Sequence, residues 1–226
     1  MPQRTGPRLR VGFIGCSHFA DALARAGHHA RELRDPAEAR EVDVVVLDGD
    51  EAEWVRGIVE KLVPHLAARQ MLVHTCLEEG VQLLDDAELA GAIVMAAHSL
   101  DGALWATDAA DEVGQAVVDL LVAEAGGTSV SLDREQRLAA AAGKRLEALA
   151  SVASIDAAEL ASRAGVQSWE PVLPARRSPA DLERLWAAIG DPGAARLFAQ
   201  LERRGAELRG DAEIELWAIA KENQRG

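Results

Sequence analysis

The chain lacks tyrosine altogether, holds two cysteines in 226 residues and has an aromatic content of only 4%. Without tyrosine, no phenol hydroxyl can serve as a proton donor in a reaction. The cysteines, Cys16 and Cys76, fall at the ends of predicted strands and outside any metal-type cluster, so we expect free thiols in a reducing compartment. CxxC, HExxH, GxSxG and Walker-type patterns are also absent, which removes several common enzyme classes.

Basic residues are scarce as well: 24 lysines and arginines face 37 aspartates and glutamates, for a net charge of −13. This balance argues against a nucleic-acid surface and against binding to anionic membranes, while a local basic pocket for a phosphate stays open. No stretch approaches the roughly 18 uninterrupted apolar residues of a membrane span. We therefore expect a globular cytoplasmic protein without nucleic-acid or membrane partners.

Short apolar runs alternate with helical segments through the first 132 residues. The run Glu41–Leu47 is rich in β-branched residues, as a strand covered by helices on both faces requires. Strands that alternate with helices at this interval predict an α/β fold with a doubly wound parallel sheet and right-handed crossovers. The predicted strands are Arg8–Ile14, His29–Leu33, Glu41–Leu47, Met71–Thr75, Ala92–Ala97 and Ser129–Leu132, and the predicted helices are His18–Ala26, Glu51–Leu66 and Asp111–Ala125.

From Asp133 onward the pattern is helical almost throughout, which predicts two domains, 1–132 and 133–226. The long segment Asp133–Ala164 is either one helix or a helix interrupted near Ser151–Ile155, and a loop with several prolines follows at Val166–Ser178. Three further helices are predicted at Pro179–Ala188, Gly193–Arg203 and Asp211–Asn223. The tryptophans of this part are expected to pack in the core or in a dimer interface; they are Trp169, Trp186 and Trp217.

A glycine turn joins the first predicted strand to the first predicted helix. A dinucleotide site needs a glycine in this turn, small residues that let the backbone approach the pyrophosphate, and a helix N-terminus that supplies N–H groups. The hexad supplies a weakened form of the GxGxxG pattern, and its residues are the candidate cofactor-binding residues: Gly15, Cys16, Ser17, His18, Phe19 and Ala20. The alternative is an ordinary strand-to-helix turn that binds nothing.

The second predicted strand should end beside the adenosine ribose, about 20 residues after the first glycine. Asp35 could hold the ribose 2′-hydroxyl of NAD, whereas Arg34 or Arg31 could hold the 2′-phosphate of NADP. Both chemistries are present in this segment, so the sequence leaves the choice between NAD and NADP open.

Several segments resemble a known superfamily. The runs Val11–Gly15 and Ala22–His28 resemble the opening of 6-phosphogluconate-dehydrogenase-like proteins. Three later runs, Leu72–Cys76, Ala96–Leu100 and Ala125–Gly127, look like bacterial Rossmann-like oxidoreductases with a helical C-terminal domain. The resemblance covers roughly the first 150 residues and becomes indistinct beyond them. It implies a Rossmann-like NAD(P)-binding domain, with Cys76 at its cofactor edge, followed by an all-helical domain that dimerises and closes a substrate cleft.

The chain also departs from that family pattern. Cys76 stands where a serine is expected, Leu77 where a glycine is expected, and Ser99 where a proline is expected. Asp48 and Asp50 follow the third strand, near the path of a bound dinucleotide. Two carboxylates there would oppose a pyrophosphate unless they point away or bind a cation. The absence of tyrosine also rules out short-chain-dehydrogenase chemistry.

Hydride transfer to a carbonyl needs a proton donor near the developing alkoxide, commonly Lys or His. Lys144 is one candidate, because the resemblance places a catalytic lysine on the corresponding helix, although Ala148 replaces the asparagine that should follow. His98 is the other, since it ends a strand at the ligand-binding edge, and His74 could lie beside it. The sequence thus predicts an NAD(P)-dependent oxidoreductase for a small carbonyl or hydroxy acid. The alternative is a catalytically degenerate relative that acts as a ligand-binding or regulatory dimer.

Overall fold

A computed structural model describes residues 8–166 and 172–224 of the chain. It divides into two compact units, Met1–Arg137 and Leu138–Gly226, and the division falls within a long helix after its first turn. Trp169 and part of the proline-containing loop lie outside the described residues.

The N-terminal unit contains a seven-stranded sheet in the order β2-β1-β3-β4-β5-β6-β7. Neighbouring strands run parallel except for β5 and β6, which are antiparallel. Strand β2 lies on one side of β1, and the chain then crosses to β3 on the other side, so a topological switch point lies between β1 and β3. The strands are β1 (Arg10–Gly15), β2 (His29–Glu32), β3 (Val44–Asp48), β4 (Met71–His74), β5 (Ile93–Ser99), β6 (Leu104–Ala109) and β7 (Thr128–Ser131).

The prediction of a Rossmann-like α/β fold with a doubly wound parallel sheet is confirmed, with one antiparallel pair, β5 and β6, in the sheet. Strand β6 was missed, because its residues, LWATDA, show too short an alternation to be recognised without a partner. The turn before it is built by Asp101, whose carboxylate accepts the N–H groups of Ala103 and Leu104. This turn sends β6 back along β5, with Ser99 opposite Trp105.

Helices cover both faces of the sheet: α1 (His18–Ala26), α2 (Ala52–Leu62), α3 (Asp85–Leu89) and α4 (Glu112–Glu124). One buried cluster joins Phe19 and Leu23 of α1 to Val44 and Val46 of β3 and to residues of α4. A second cluster on the opposite face contains Val45, Leu47 and the buried residues of α2. Successive residues of β3 therefore point to opposite faces, both buried, which explains its continuous apolar run.

The C-terminal unit is helical: α5 (Arg134–Arg163, which begins in the N-terminal unit), α6 (Pro179–Ala188), α7 (Pro192–Arg209) and α8 (Ala212–Glu222). Helix α5 is continuous, so the alternative of an interruption near Ser151–Ile155 does not hold. Helix α7 runs beyond its predicted end at Arg203, because Gly205 is buried within the helix and lies against Val152 rather than ending it. None of the helices described has the length and apolarity that a membrane crossing demands.

Candidate functional site

The turn after β1 is held in a conformation that only glycine adopts without strain. Gly15 has a φ of 96°, and a Cβ at this position would overlap the carbonyl oxygen of Asp48 and lie 2.8 Å from the Trp54 ring. The next N–H group, that of Cys16, donates to the same carbonyl oxygen at 2.8 Å. The chain is thereby turned at the switch point, and α1 begins with its N-terminus at this edge.

The first turn of α1 offers backbone donors rather than side-chain caps. Ser17 occupies the N-cap position, but its hydroxyl donates to Asp21 at 2.8 Å and makes no cap hydrogen bond. Phe19 and Ala20 are buried, whereas Cys16 and His18 are exposed. Partial desolvation of the thiol and the nearby carboxylates of Asp48 and Asp50 raise the pKa of Cys16, so this cysteine stays protonated at neutral pH.

Asp48 faces the N-terminus of α1. Its side chain is only 7% exposed; one oxygen accepts the Phe19 N–H at 3.3 Å and the other accepts the Thr75 hydroxyl at 2.9 Å. The Asp48 side chain therefore does not point away from the edge. Within residues 8–166 and 172–224, no group of three or more candidate metal ligands occurs. A carboxylate of the chain itself therefore meets the positive end of the helix dipole.

At the end of β2 the two predicted ribose-binding residues differ in their surroundings. The Asp35 carboxylate accepts the N–H of Ala37 at 2.8 Å and caps a short 3-10 helix, which limits its reach toward a ligand. The Arg34 side chain is 85% exposed and lies 3.9 Å from Glu32. Glu32, the last residue of β2, lies at the same strand end and pairs in register with Phe13, but it was not among the residues predicted to face the ribose.

His74, the last residue of β4, is fixed in its neutral form. Its Nδ1 accepts the N–H of Cys76 at 3.2 Å, so Nε2 carries the proton and donates to the Gly80 carbonyl at 2.9 Å. Burial lowers the pKa of His74 to about 4. With both ring nitrogens bound to backbone groups, this histidine has a structural role.

His98, on β5, differs from its neighbour. Its Nδ1 contacts the carbonyl oxygen of Thr75, which can only accept, so Nδ1 carries the proton. Nε2 is therefore the nitrogen with the lone pair, and it is buried. The buried thiol of Cys76 donates to the Asp50 carbonyl at 3.3 Å. These contacts place a histidine of defined tautomer at the end of β5, beside Thr75.

The structure brings together part of the predicted set. Residues 15–20, Cys76 and His98 all lie at the carboxyl ends of the parallel strands in the N-terminal unit. Lys144 is an exposed residue of α5 and belongs to the C-terminal unit, so its role stays a prediction. Asp48 and Thr75 join the site through the hydrogen bonds described above. The parity of β3, which puts Asp48 on the same face as Val44 and Val46, could have revealed the direction of its side chain.

Comparison with known proteins places this architecture in a class. Residues 157–221 match the family model described as 6-phosphogluconate dehydrogenase C-terminal domain-like. The match lies in the part of the chain where the sequence resemblance had become indistinct. No curated protein sequence matches the chain.

Solved structures of low sequence identity share the fold over nearly the whole chain. The 3-hydroxyisobutyrate dehydrogenase of Salmonella typhimurium has 13% identity and a TM-score of 0.55, with 96% of this chain and 92% of that one covered. Prephenate dehydrogenase of A. aeolicus, in complex with hydroxyphenyl propionate and NAD+, has 15% identity and a TM-score of 0.53, with 94% and 90% covered. The 3-hydroxyisobutyrate dehydrogenase of Mycobacterium tuberculosis, with L-serine, has 13% identity and a TM-score of 0.52, with 97% and 96% covered.

The chain therefore has the fold of the Rossmann dehydrogenases that carry a helical C-terminal part. Within that class, the predicted resemblance to 6-phosphogluconate-dehydrogenase-like proteins is confirmed by the family match and by these structures.

Proposed function

We propose that the protein is an NAD(P)-dependent oxidoreductase that acts on a small carbonyl compound or hydroxy acid. The observation that carries the proposal is the Gly15 turn, which starts α1 at the switch point between β1 and β3. In open α/β sheets ligands bind at this position, and a pyrophosphate is bound by the N–H groups of such a helix start.

The residues of the edge fit a dinucleotide in part. The backbone of residues 15–20 would hold the pyrophosphate, and the end of β2 would face the adenosine ribose. There Glu32 favours the 2′-hydroxyl of NAD, whereas the exposed Arg34 favours the 2′-phosphate of NADP. The Asp48 carboxylate does not fit, because it already accepts the Phe19 N–H and would repel a phosphate.

His98 is the residue of this unit best suited to move a proton. The Thr75 carbonyl orients the ring through Nδ1, and Nε2 retains its lone pair. A bound nicotinamide would supply or accept the hydride. When a hydroxy acid is oxidised, Nε2 would take the proton of its hydroxyl, and in the reverse direction it would return that proton to the alkoxide. Lys144 remains a second candidate for this role.

The second candidate function is a degenerate relative that binds a ligand or regulates as a dimer without turnover. The contact between Asp48 and the Phe19 N–H favours it, because the chain provides its own anion where a phosphate should bind. Asp21 adds a second carboxylate in the same helical turn.

A thermal-shift screen with NADH, NADPH, FAD and ADP distinguishes the two functions. The oxidoreductase proposal expects NADH or NADPH to raise the melting temperature, because a ligand that binds only the native state stabilises it. It also expects reduction of small 2-keto or 3-keto acids that falls about 10²–10⁴-fold in His98→Gln or Lys144→Ala, whichever removes the proton donor. The absence of stabilisation by every nucleotide would rule out the oxidoreductase and leave the second candidate.

We further propose that the protein is a cytoplasmic homodimer associated through its helical part. Three leucines of this part are exposed on α5, α7 and α8, namely Leu160, Leu197 and Leu216. Burial of such side chains against a second copy would lower their exposure to water. Light scattering should give twice the mass of the chain, and a monomer at micromolar concentration would contradict this part of the proposal.

A further inference from the structure

A polar cavity of about 390 Å3 lies in the N-terminal unit beside the carboxyl end of β7. It is lined by α2, by the segment after β4, by β6 and by the residues from the end of β7 to the first turn of α5. Its charged lining residues are Arg56, Glu79, Asp108, Asp133, Arg134 and Arg137.

Arg137 is held in this cavity by the way α5 begins. Asp133 and Gln136 cap the helix reciprocally, each side chain accepting the backbone N–H of the other at 2.9 Å. Arg137 follows within the first turn and is only 2% exposed. Its Nε donates to the Leu132 carbonyl at 3.2 Å and its Nη2 donates to the Thr107 carbonyl at 3.0 Å.

The third nitrogen of this guanidinium is different. Nη1 is buried and has no hydrogen-bond partner among the described residues. A buried donor of a charged group that is left unsatisfied costs more than the mean hydrogen bond contributes. A carboxylate would form the strongest hydrogen bond with this nitrogen, because both partners are then charged.

Two of the three acidic residues of the cavity accept backbone N–H groups and keep further lone pairs, and the third, Glu79, lies 3.9 Å from Arg56. Asp108 accepts the N–H groups of Val81 at 2.9 Å and Ala109 at 3.1 Å, and Asp133 caps α5. None of these contacts reaches Nη1 of Arg137, which has no hydrogen-bond acceptor among the described residues of the cavity.

The charges that line the cavity limit the class of ligand that it can bind. Three arginines and three acidic residues line the cavity, so its formal charge is zero and a dianion gains no net attraction. A ligand that carries one carboxylate and one ammonium group matches both signs. We infer that this cavity binds a small zwitterion of the amino-acid class, with its carboxylate on Nη1 of Arg137 and its ammonium group toward Asp108 and Glu79.

This inference goes beyond the proposed function, because it uses none of the residues at the start of α1. Either site can bind its ligand when the other does not. The test is therefore made without any nucleotide.

The first experiment titrates the 15N-labelled protein with glycine, acetate, inorganic phosphate and methylammonium, and follows the backbone amide signals. The inference expects glycine to shift the signals of Gly80, Val81 and Ala109, and to bind at least about tenfold more tightly than the three singly functional probes. Equal shifts with acetate or phosphate would overturn the zwitterion assignment. The absence of shifts in these residues with any probe would overturn the site.

The second experiment compares Arg137→Gln with Arg163→Gln, a matched change at the exposed far end of the same helix. Loss of the charge-assisted hydrogen bond should weaken glycine binding at least about tenfold in the first variant and leave it unchanged in the second. Equal binding by the two variants would overturn the role of Arg137. If Arg137→Gln does not fold, Glu79→Gln serves instead: it should remove the advantage of glycine over acetate, and an unchanged advantage would overturn the inference.

Discussion

Two regions of the N-terminal unit carry positive charge that can attract an anion. They differ in whether a group of the chain itself already pairs with that charge. At the start of α1, the chain's own Asp48 accepts the Phe19 N–H and meets the helix dipole. In the polar cavity, Arg137 is bound through two of its nitrogens, and the third has no acceptor among the described residues. The fold predicts an anion site at the first region, whereas the hydrogen bonds indicate one at the second.

The comparison indicates that the fold supplies the geometry of an edge at which ligands can bind, whereas binding itself depends on which donors remain unused. The Gly15 turn has the strand-to-helix shape that the proposed dinucleotide site requires. The Asp48 carboxylate, at the end of β3, places a negative charge beside this turn.

The largest expected effect comes from a substitution in the turn at the start of α1. Gly15→Ala should destabilise the protein by about 3 kcal/mol, because a positive φ strains alanine and its Cβ overlaps the Asp48 carbonyl oxygen. Gly126→Ala is the matched control: it has a φ of 89° and nothing within 4 Å of the added Cβ, so it should cost about 1 kcal/mol. Urea unfolding measures both. Equal losses would mean that strain alone, and not close approach to β3, requires Gly15.

Acidification should destabilise the N-terminal unit through His74, at the end of β4. The pKa of His74 is lowered to about 4 by burial and, to a smaller extent, by Arg137. In the unfolded chain this histidine binds its proton near pH 6.5, whereas in the folded protein it does so only near pH 4. Protonation therefore favours the unfolded state between these values: the free energy of unfolding is unaffected above pH 6.5 and decreases as the pH falls toward 4. Between about pH 7 and pH 5 this residue should account for a loss of about 2 kcal/mol in the free energy of unfolding.

Urea unfolding of the wild type and of His74→Gln at the two pH values tests this prediction. The substitution removes the titrating group, so the variant should lose less stability on acidification than the wild type. Parallel losses in the two proteins would show that His74 does not titrate as its burial requires.

The smallest expected effect comes from removing the chain's own carboxylate from the start of α1. Asp48→Asn removes the negative charge from the start of α1 and should raise the affinity for NADH about tenfold, or about 1.4 kcal/mol, because a like charge no longer opposes the pyrophosphate. Asp21→Asn is the control, since Asp21 contacts the Ser17 hydroxyl rather than the Phe19 N–H, and its effect should be smaller. Isothermal titration measures both variants. An equal gain in the two would mean that net charge matters and the contact does not.

The sequence predicted the strands and helices that bury an apolar face, because periodicity reports burial directly. Strand β6 escaped, since its pairing with β5 depends on a turn made by Asp101. In the site, His98 and the Gly15 turn were predicted from their places at strand ends. The occupation of the helix start by Asp48 and the burial of Arg137 were not, because both depend on which side chains tertiary packing brings opposite each other.

The measurement that tests the central proposal most directly is an amide-resolved titration of the 15N-labelled wild-type protein and Asp48→Asn with NADH. The oxidoreductase proposal predicts shifts at Cys16, Ser17 and His18 in both proteins, saturating at lower NADH concentration in the variant. Unchanged signals at these three residues in both proteins would contradict it.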